Sequence, residues 1–125
     1  MVRGIRGATT ILNNNKEEIT VATEKLLRAM IQANSINASD VAQILFSVTE
    51  DVDASFPAAA ARLIEGWAYV PVMCMREIPV PGSLPMCIRV MMTVNTTAKQ
   101  EEIVHIYHEG AISLRPDLSH TTSNG

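Results

Sequence analysis

The chain has 125 residues, of which 47% are hydrophobic and 18% charged, a balance typical of one globular domain. Its net charge of −3 and pI near 5.5 argue against general binding of nucleic acid or anionic membranes, although a few arginines could hold a small anion locally. No apolar stretch approaches the roughly 20 residues that span a bilayer, and the two cysteines form no CxxC pair, so we expect a cytoplasmic protein with free thiols.

The first fifth of the chain predicts a strand followed by a helix. Residues 3–12 are β-compatible and end at a cluster of asparagines. Residues 16–34 then repeat apolar side chains at helical spacing, and Asn15 followed by Glu18 resembles a capping box.

The next segment predicts a second strand and a second helix. Residues 41–49 alternate, so that two sets of side chains point to opposite faces of a strand. These sets are Ala42, Ile44, Phe46 and Val48 on one face, and Gln43, Leu45 and Ser47 on the other. The alanine-rich residues 53–66 predict a short helix that stops at Gly66.

The remainder predicts three strands and a polar end. The strands cover residues 67–78, 86–96 and 104–113. A proline-rich loop separates the first two, and one turn or single helical turn precedes the last. We predict one domain over residues 1–118 and a loose tail over 119–125.

The element order β-α-β-α-β-β-β predicts an α+β fold, with one mixed five-stranded sheet and two helices on one face. The other face of the sheet is then either solvated or packed against another subunit. Met91, Met92 and the alanine-rich helix leave more apolar surface than two helices cover, so we expect an oligomer.

Charged and polar side chains inside strands are the candidates for function. Arg89 lies in an apolar strand, on the face opposite its uniformly apolar one, and burying a guanidinium requires a partner. Glu77 shares a strand face with Met73 and Met75. Cys74 points the other way, so a site that contains both Cys74 and Glu77 requires a bulge near Met75.

Two interpretations of Arg89 follow from the residues alone. It either forms a cross-strand ion pair with Glu77, or it lines a cleft for a small dianion that also carries a hydroxyl. A metal site is not expected, because His105 and His108 face opposite sides of a strand. Cys74 has no histidine placed to activate it, which favours an inert thiol.

Five collinear segments carry a resemblance to a known family. They are RGIRGATT, FPAAAAR, GWAYVPVMCMREI, CIRVMMTVNT and LRPDLS, and together they run from about residue 3 to residue 119. Taken together, they resemble the monofunctional chorismate mutases of the Bacillus type, which are trimers with a pseudo-α/β-barrel fold. The resemblance implies an isomerase that rearranges chorismate to prephenate, toward phenylalanine and tyrosine, without cofactor, metal or covalent intermediate.

The resemblance also implies a role for each site residue. Arg89 would donate to the breaking ether oxygen, and Glu77 would accept a hydrogen bond from the ring hydroxyl. Arg6 and Tyr107 would bind the side-chain carboxylate, with Cys74 beside the hydroxyl. The remaining residues implied to bind substrate are Met73, and, from the neighbouring subunit of a homotrimer, Phe56, Ala58, Arg62, Leu114 and Arg115.

One position departs from the family pattern. The family often has a lysine where this chain has Ala59, which predicts weaker capture of the substrate dianion.

Three alternatives remain open from the sequence. They are a related trimeric fold that hydrolyses imines or enamines, a non-catalytic module that binds a small organic anion, and a structural oligomer whose arginines are paired internally.

Overall fold

The computed structural model describes residues 1–114, which form one mixed five-stranded sheet with helices packed against it. The strands are β1 Val2–Thr10, β2 Val41–Val48, β3 Val72–Arg76, β4 Cys87–Asn95 and β5 Ile106–Tyr107. Among the described residues, α1 Lys16–Asn34 is the single α-helix. Short 3₁₀ helices span Ala38–Asp40, Pro57–Leu63, Gln100–Glu102 and Glu109–Leu114.

Strand β4 lies at the centre of the sheet, whose order is β3-β2-β4-β1-β5. It runs antiparallel to both of its neighbours, β1 and β2. The edge strands β3 and β5 run parallel to β2 and β1 respectively, so the sheet is mixed. The predicted mixed five-stranded sheet is therefore confirmed, and the apolar strand that contains Arg89 is its most enclosed member.

Helix α1 has the predicted bounds, but its N-terminal cap is only half of a capping box. The Asn15 side chain accepts a hydrogen bond from the Glu18 backbone N–H at 2.8 Å. The Glu18 carboxylate does not return this bond and instead accepts from the backbone N–H groups of Leu12 and Asn13 at 2.6 and 3.2 Å. These backbone donors lower the pKa of Glu18, because they favour its charged form.

The two faces of the sheet are differently occupied. The covered face packs against α1 and the Pro57–Leu63 segment, and seven of its strand residues are at most 3% exposed. These residues are Ile5, Ile44, Phe46, Ile88, Val90, Met92 and Val94. The open face carries the opposite side chains of the same strands, which include Arg6, Leu45, Ser47, Met73, Met75, Arg89 and Met91.

Three predicted elements are shorter or different in the structure. The second helix is a shorter 3₁₀ segment of seven residues, Pro57–Leu63, and it begins only at Pro57 because the proline keeps Phe56 extended. The third strand begins only at Val72, since a turn bonds the Val70 N–H to the Trp67 carbonyl at 3.2 Å.

The fifth strand contains two residues rather than ten. Glu109 adopts a left-handed conformation with φ of 53°, which ends pairing with β1 and turns the chain into the last 3₁₀ helix. The prediction that Met91 and Met92 both add to an uncovered apolar surface is only partly correct. Met92 is fully buried on the covered face, whereas Met91 is 37% exposed on the open face. The predicted tail lies outside the described residues.

Candidate active site

One row of side chains crosses all five strands on the open face. In the sheet register, Met75 on β3 pairs with Ser47 on β2, and Ser47 pairs with Arg89 on β4. Arg89 in turn pairs with Ala8 on β1, which pairs with Tyr107 on β5. Because directly paired residues project to the same side of a sheet, the register places Arg89 at the centre of this row.

Arg89 contacts the carboxylate of Glu77, but in a single-pronged geometry. Arg89 Nε lies 3.2 Å from Glu77 Oε2, and the two side chains remain 30% and 24% exposed. Although Nε is buried and close to the carboxylate, its alignment is not that of a hydrogen bond, and it finds no hydrogen-bond partner among residues 1–114. The guanidinium is therefore charge-compensated without being enclosed in a two-pronged ion pair.

Glu77 is held in place by groups from three directions. It follows the last residue of β3, and its backbone N–H donates to the Val48 carbonyl at 2.8 Å. Its Oε1 accepts from the Ile78 backbone N–H at 2.9 Å, and the Ser47 hydroxyl lies 3.4 Å from Oε2. The carboxylate is thus oriented along the sheet toward Arg89 rather than into solvent.

An open cleft of about 270 Å³ lies on this face and contains two of the predicted cationic groups. Its lining residues are Arg6, Leu45, Phe46, Ser47, Met75, Arg89, Val90 and Met91. Two guanidinium groups on one apolar wall suit a ligand that has carboxylates and a carbon skeleton. Since Glu77 lies against Arg89, the same wall can also accept a hydrogen bond from a hydroxyl.

Tyr107 lies at the β5 end of the row and is 1% exposed. Its side chain packs in a small apolar cluster with Ala8 and Ala111, bordered by Leu84 and Leu114. The phenol oxygen is buried and has no hydrogen-bond partner among the described residues. A buried hydroxyl in this state is costly, so it has the capacity to bond to a group that enters from the cleft.

The structure does not bring every predicted residue to the open face. Cys74 pairs with Phe46 and packs against the core of the covered face, and the register of β2 with β3 shows no bulge near Met75. The side chains of Cys74 and Glu77 are therefore on opposite sides of the sheet. Met73 does lie on the open face, where it is 61% exposed.

The predicted residues from the second helix lie apart from Arg89 within one chain. Phe56 is 75% exposed just before the Pro57–Leu63 segment, Arg62 is exposed within it, and Ala58 packs against the covered-face core. That segment packs mainly against α1, on the opposite side of the sheet from Arg89. Leu114 borders the Tyr107 cluster, and Arg115 lies outside the described residues.

A polar clamp at the start of β4 is one feature that the sequence did not indicate. Both carboxylate oxygens of Asp51 accept from the Met86 backbone N–H at 3.0 Å, and Asp51 also accepts from the Thr49 hydroxyl at 2.5 Å. Thr49 Oγ1 accepts from the Cys87 N–H at 3.0 Å. The clamp fixes the residues that lead directly into Arg89, and Met86 within it has a φ of 54°.

Cys87 neighbours Arg89 on the open face and is fully buried. Burial raises the pKa of its thiol, and the adjacent guanidinium opposes this effect only in part. The thiol is thus held neutral beside the cation. Within residues 1–114, no group of three His, Cys, Asp or Glu side chains is placed to hold a metal ion.

Comparison with known proteins identifies a family over almost the whole chain. The family model of chorismate mutase type I matches residues 2–118. The described residues contain no helix that is long and apolar enough to cross a membrane.

Two curated relatives and one solved structure are similar over nearly their full lengths. Chorismate mutase AroH of Bacillus subtilis (strain 168) is 52% identical over 121 residues, which is 97% of this chain and 95% of the relative. Chorismate mutase AroH of Thermus thermophilus is 49% identical over 119 residues, 94% of this chain and 97% of the relative. The structure of chorismate mutase from Clostridium thermocellum Cth-682 matches with a TM-score of 0.84 at 50% identity, covering 87% of this chain and 96% of that one.

Proposed function

The chain belongs to the chorismate mutase type I family and is an isomerase with that activity, and we propose that it rearranges chorismate to prephenate on the open face around Arg89. In this Claisen rearrangement one C–O bond breaks and one C–C bond forms within the same molecule. No co-reactant is consumed, so the protein needs only to hold the flexible dianion in its folded conformation and stabilise the charge that develops. Prephenate then leads toward phenylalanine and tyrosine.

The geometry of Arg89 carries this proposal. Its Nε is buried, has no hydrogen bond among the described residues and belongs to a side chain that lines an open cleft. Such a fixed donor stabilises the ether oxygen as the C–O bond breaks and negative charge grows there. A preorganised donor of this kind contributes about 3–4 kcal/mol, a large share of the roughly 8 kcal/mol that a ~10⁶-fold acceleration requires.

Three other polar side chains, those of Glu77, Arg6 and Tyr107, bind the remaining parts of the substrate. Glu77 accepts a hydrogen bond from the ring hydroxyl and balances the positive character that develops in the ring. Arg6 lines the same cleft, and the unpartnered phenol of Tyr107 lies at the other end of the row; both bind the side-chain carboxylate. We assign Met73, which is exposed on the same face, to the wall of the cleft, whereas Cys74 faces the core and is left out of the site.

A neighbouring subunit completes the site in our proposal, which assigns a homotrimer with a barrel-like core. The open face of one chain has exposed methionines at 73, 75 and 91 beside its charged groups, which favours a protein surface over solvent there. Phe56, Ala58 and Arg62 lie across the sheet from Arg89 in their own subunit, so they serve the site of another. Arg115 belongs to the same contributed wall, whereas Leu114 borders the Tyr107 end of the row in its own subunit.

The alternatives fit less well. The relatives named above are chorismate mutases, which favours this activity over imine hydrolysis. We also propose a cytoplasmic location, because Cys74 and Cys87 are both free thiols.

The direct test is to add chorismate and follow the loss of its ultraviolet absorbance as prephenate forms. Steady turnover without added metal or cofactor is the expected result. Binding of chorismate without turnover would indicate the non-catalytic module instead, and neither binding nor turnover would indicate a structural oligomer.

Complementation between inactive variants tests the shared site. We expect Arg89→Ala and Arg62→Ala each to lose activity, because each removes one half of every site. Unfolding and refolding the two variants together should restore about a quarter of the sites, since one subunit pair in four then contributes both arginines. Continued inactivity of the mixture, with a trimeric mass in solution, would contradict a site to which Arg89 and Arg62 come from different subunits.

A further inference from the structure

We propose that Ser47 is a positioning residue for this rearrangement, which holds the Glu77 carboxylate in the orientation that receives the substrate hydroxyl. The inference rests on the proposed function of Glu77. Ser47 donates a hydrogen bond to the carboxylate and, in this proposal, acts on the reaction only through it.

The position of Ser47 follows from the sheet order. Strand β2 separates β3, which leads to Glu77, from β4, which carries Arg89. Ser47 is in register with Arg89 on one side and Met75 on the other, and its side chain lies on the open face within the cleft. It is therefore the residue of the intervening strand that lies between the two charged groups.

The contacts of the carboxylate show why a third group is needed. One oxygen of Glu77, Oε1, accepts from the Ile78 N–H at 2.9 Å. The other, Oε2, lies 3.2 Å from Arg89 Nε and 3.4 Å from Ser47 Oγ. The Arg89 contact lacks hydrogen-bond alignment, so the serine hydroxyl is the group with which Oε2 makes a hydrogen bond among the described residues.

A neutral donor at this place has a specific use during the reaction. As charge grows on the ether oxygen, the fixed Arg89 guanidinium donates to the substrate and supplies no aligned hydrogen bond to Glu77. Without another donor, Oε2 would be free to rotate. A serine hydroxyl fixes Oε2 without adding a second charge that would compete with Arg89 for it.

Hydroxyl deletion and its conservative rescue form the first part of the test. We expect Ser47→Ala to lower kcat about five- to tenfold, which is the loss expected when one long hydrogen bond to a charged acceptor is removed. The unfolding midpoint and the oligomeric mass should not change. Ser47→Thr keeps the hydroxyl and should recover kcat to within about twofold. Thr93→Val removes a hydroxyl elsewhere on the open face of β4 and should also stay within about twofold.

A double-mutant cycle separates positioning from a general structural role. In a Glu77→Ala background, Ser47→Ala should change kcat by less than about twofold, because the group on which it acts is gone. An equal loss in both backgrounds would overturn the proposal, as would a Ser47→Ala enzyme within about twofold of wild type. A folded Ser47→Thr enzyme as slow as Ser47→Ala would overturn it too. Wild-type enzyme that does not convert chorismate would instead refute the proposed function itself.

Discussion

The two faces of the sheet are built from the same strands, yet they are under different physical constraints. On the covered face, all four alternate residues of β4 and several of their neighbours on β1 and β2 are apolar and buried, and they are enclosed by α1 and the Pro57–Leu63 segment. On the open face, the intervening residues combine arginines, a serine and exposed methionines. One face stabilises the chain, and the other leaves Arg89 Nε and the Tyr107 hydroxyl without a hydrogen bond among the described residues, where our proposal places the substrate.

Truncating the covered face should produce the largest effect. Phe46 is fully buried in the core cluster, so Phe46→Ala should lower the free energy of unfolding by about 3–5 kcal/mol. Denaturant unfolding followed by circular dichroism measures this loss. The matched control is Leu12→Ala, because Leu12 is 89% exposed and its removal should cost less than about 0.5 kcal/mol. Similar losses in the two variants would contradict the division into faces.

Removing the central cation of the open face should act on catalysis and not on folding. Arg89→Ala should reduce kcat about 10²- to 10³-fold, as expected for loss of one preorganised donor, with the fold intact. Arg89→Lys should also be strongly impaired, since an ammonium group does not reproduce the guanidinium fork.

The control for this prediction is Arg28→Ala. Arg28 pairs with Glu24 at 2.9 Å on the exposed surface of α1, remote from the cleft, so this variant should keep its kcat. Normal turnover by Arg89→Ala would refute the assigned role of Arg89 while leaving the family unaffected.

Two glycines of β1 allow the two faces of the sheet to be compared on one strand, because Gly7 lies on the covered face and Gly4 on the open face. A Cβ at Gly7 would overlap Met30 Sδ and approach Leu26 Cδ1 to 3.2 Å in the covered core, so Gly7→Ala should cost about 1–3 kcal/mol of stability. A Cβ at Gly4 meets only the flexible Met91 Sδ at 3.3 Å on the open face, so Gly4→Ala should cost less than about 0.5 kcal/mol. Thermal unfolding of the two variants side by side measures the difference, and equal midpoints would count against it.

The Pro57–Leu63 segment contacts both kinds of face. It covers the core of its own subunit and, in our proposal, borders the open face of the next subunit. Ala59→Lys adds a positive charge near the substrate dianion and should lower KM several-fold with little change in kcat. Steady-state kinetics at low ionic strength gives both constants. An unchanged KM would show that position 59 does not contribute to substrate capture.

The smallest predicted effect is a pH dependence at the edge of the covered face. Burial is the main cause that lowers the pKa of His108, and the positive charge of Lys25 on α1 lowers it further. The negative charge of Glu109 opposes this shift. Glu18 is a second carboxylate that lines the same cavity. Because the unfolded state then binds the proton more readily, stability is lost as pH falls from about 7 through the ordinary histidine range toward the lowered pKa. Because solvent screens the charges around this partly exposed imidazole, His108 should contribute less than about 1 kcal/mol to the free energy of unfolding.

Thermal unfolding of wild type and His108→Gln at pH 8 and pH 5 measures this dependence. The wild type should lose slightly more stability between the two pH values than the variant does. A larger loss in the variant would reverse the sign that we assign to His108.

Local patterns in the sequence were sufficient to predict α1 and the central strands. Helix α1 begins at Lys16 as predicted because Asn15 caps it, and β4 keeps strict alternation because both of its neighbours impose the same pleat. The predicted side of Arg89 is correct for the same reason. The shortened β5 and the 3₁₀ character of Pro57–Leu63 were not predictable, since the left-handed Glu109 and the packing of Ala60 and Ala61 on α1 depend on distant residues.

The sequence by itself determined which residues are apolar at a period of two or 3.6, and therefore α1, the central strand β4 with its covered face, and the isolated charge at Arg89. Only the tertiary structure decided that Ser47 lies between Glu77 and Arg89, that β3 has no bulge near Met75, and that Asp51 holds the start of β4. The physical reason is that periodicity fixes the face of a residue within its own strand. The neighbours across the sheet depend on strand order and register, which are set by the packing of the whole chain.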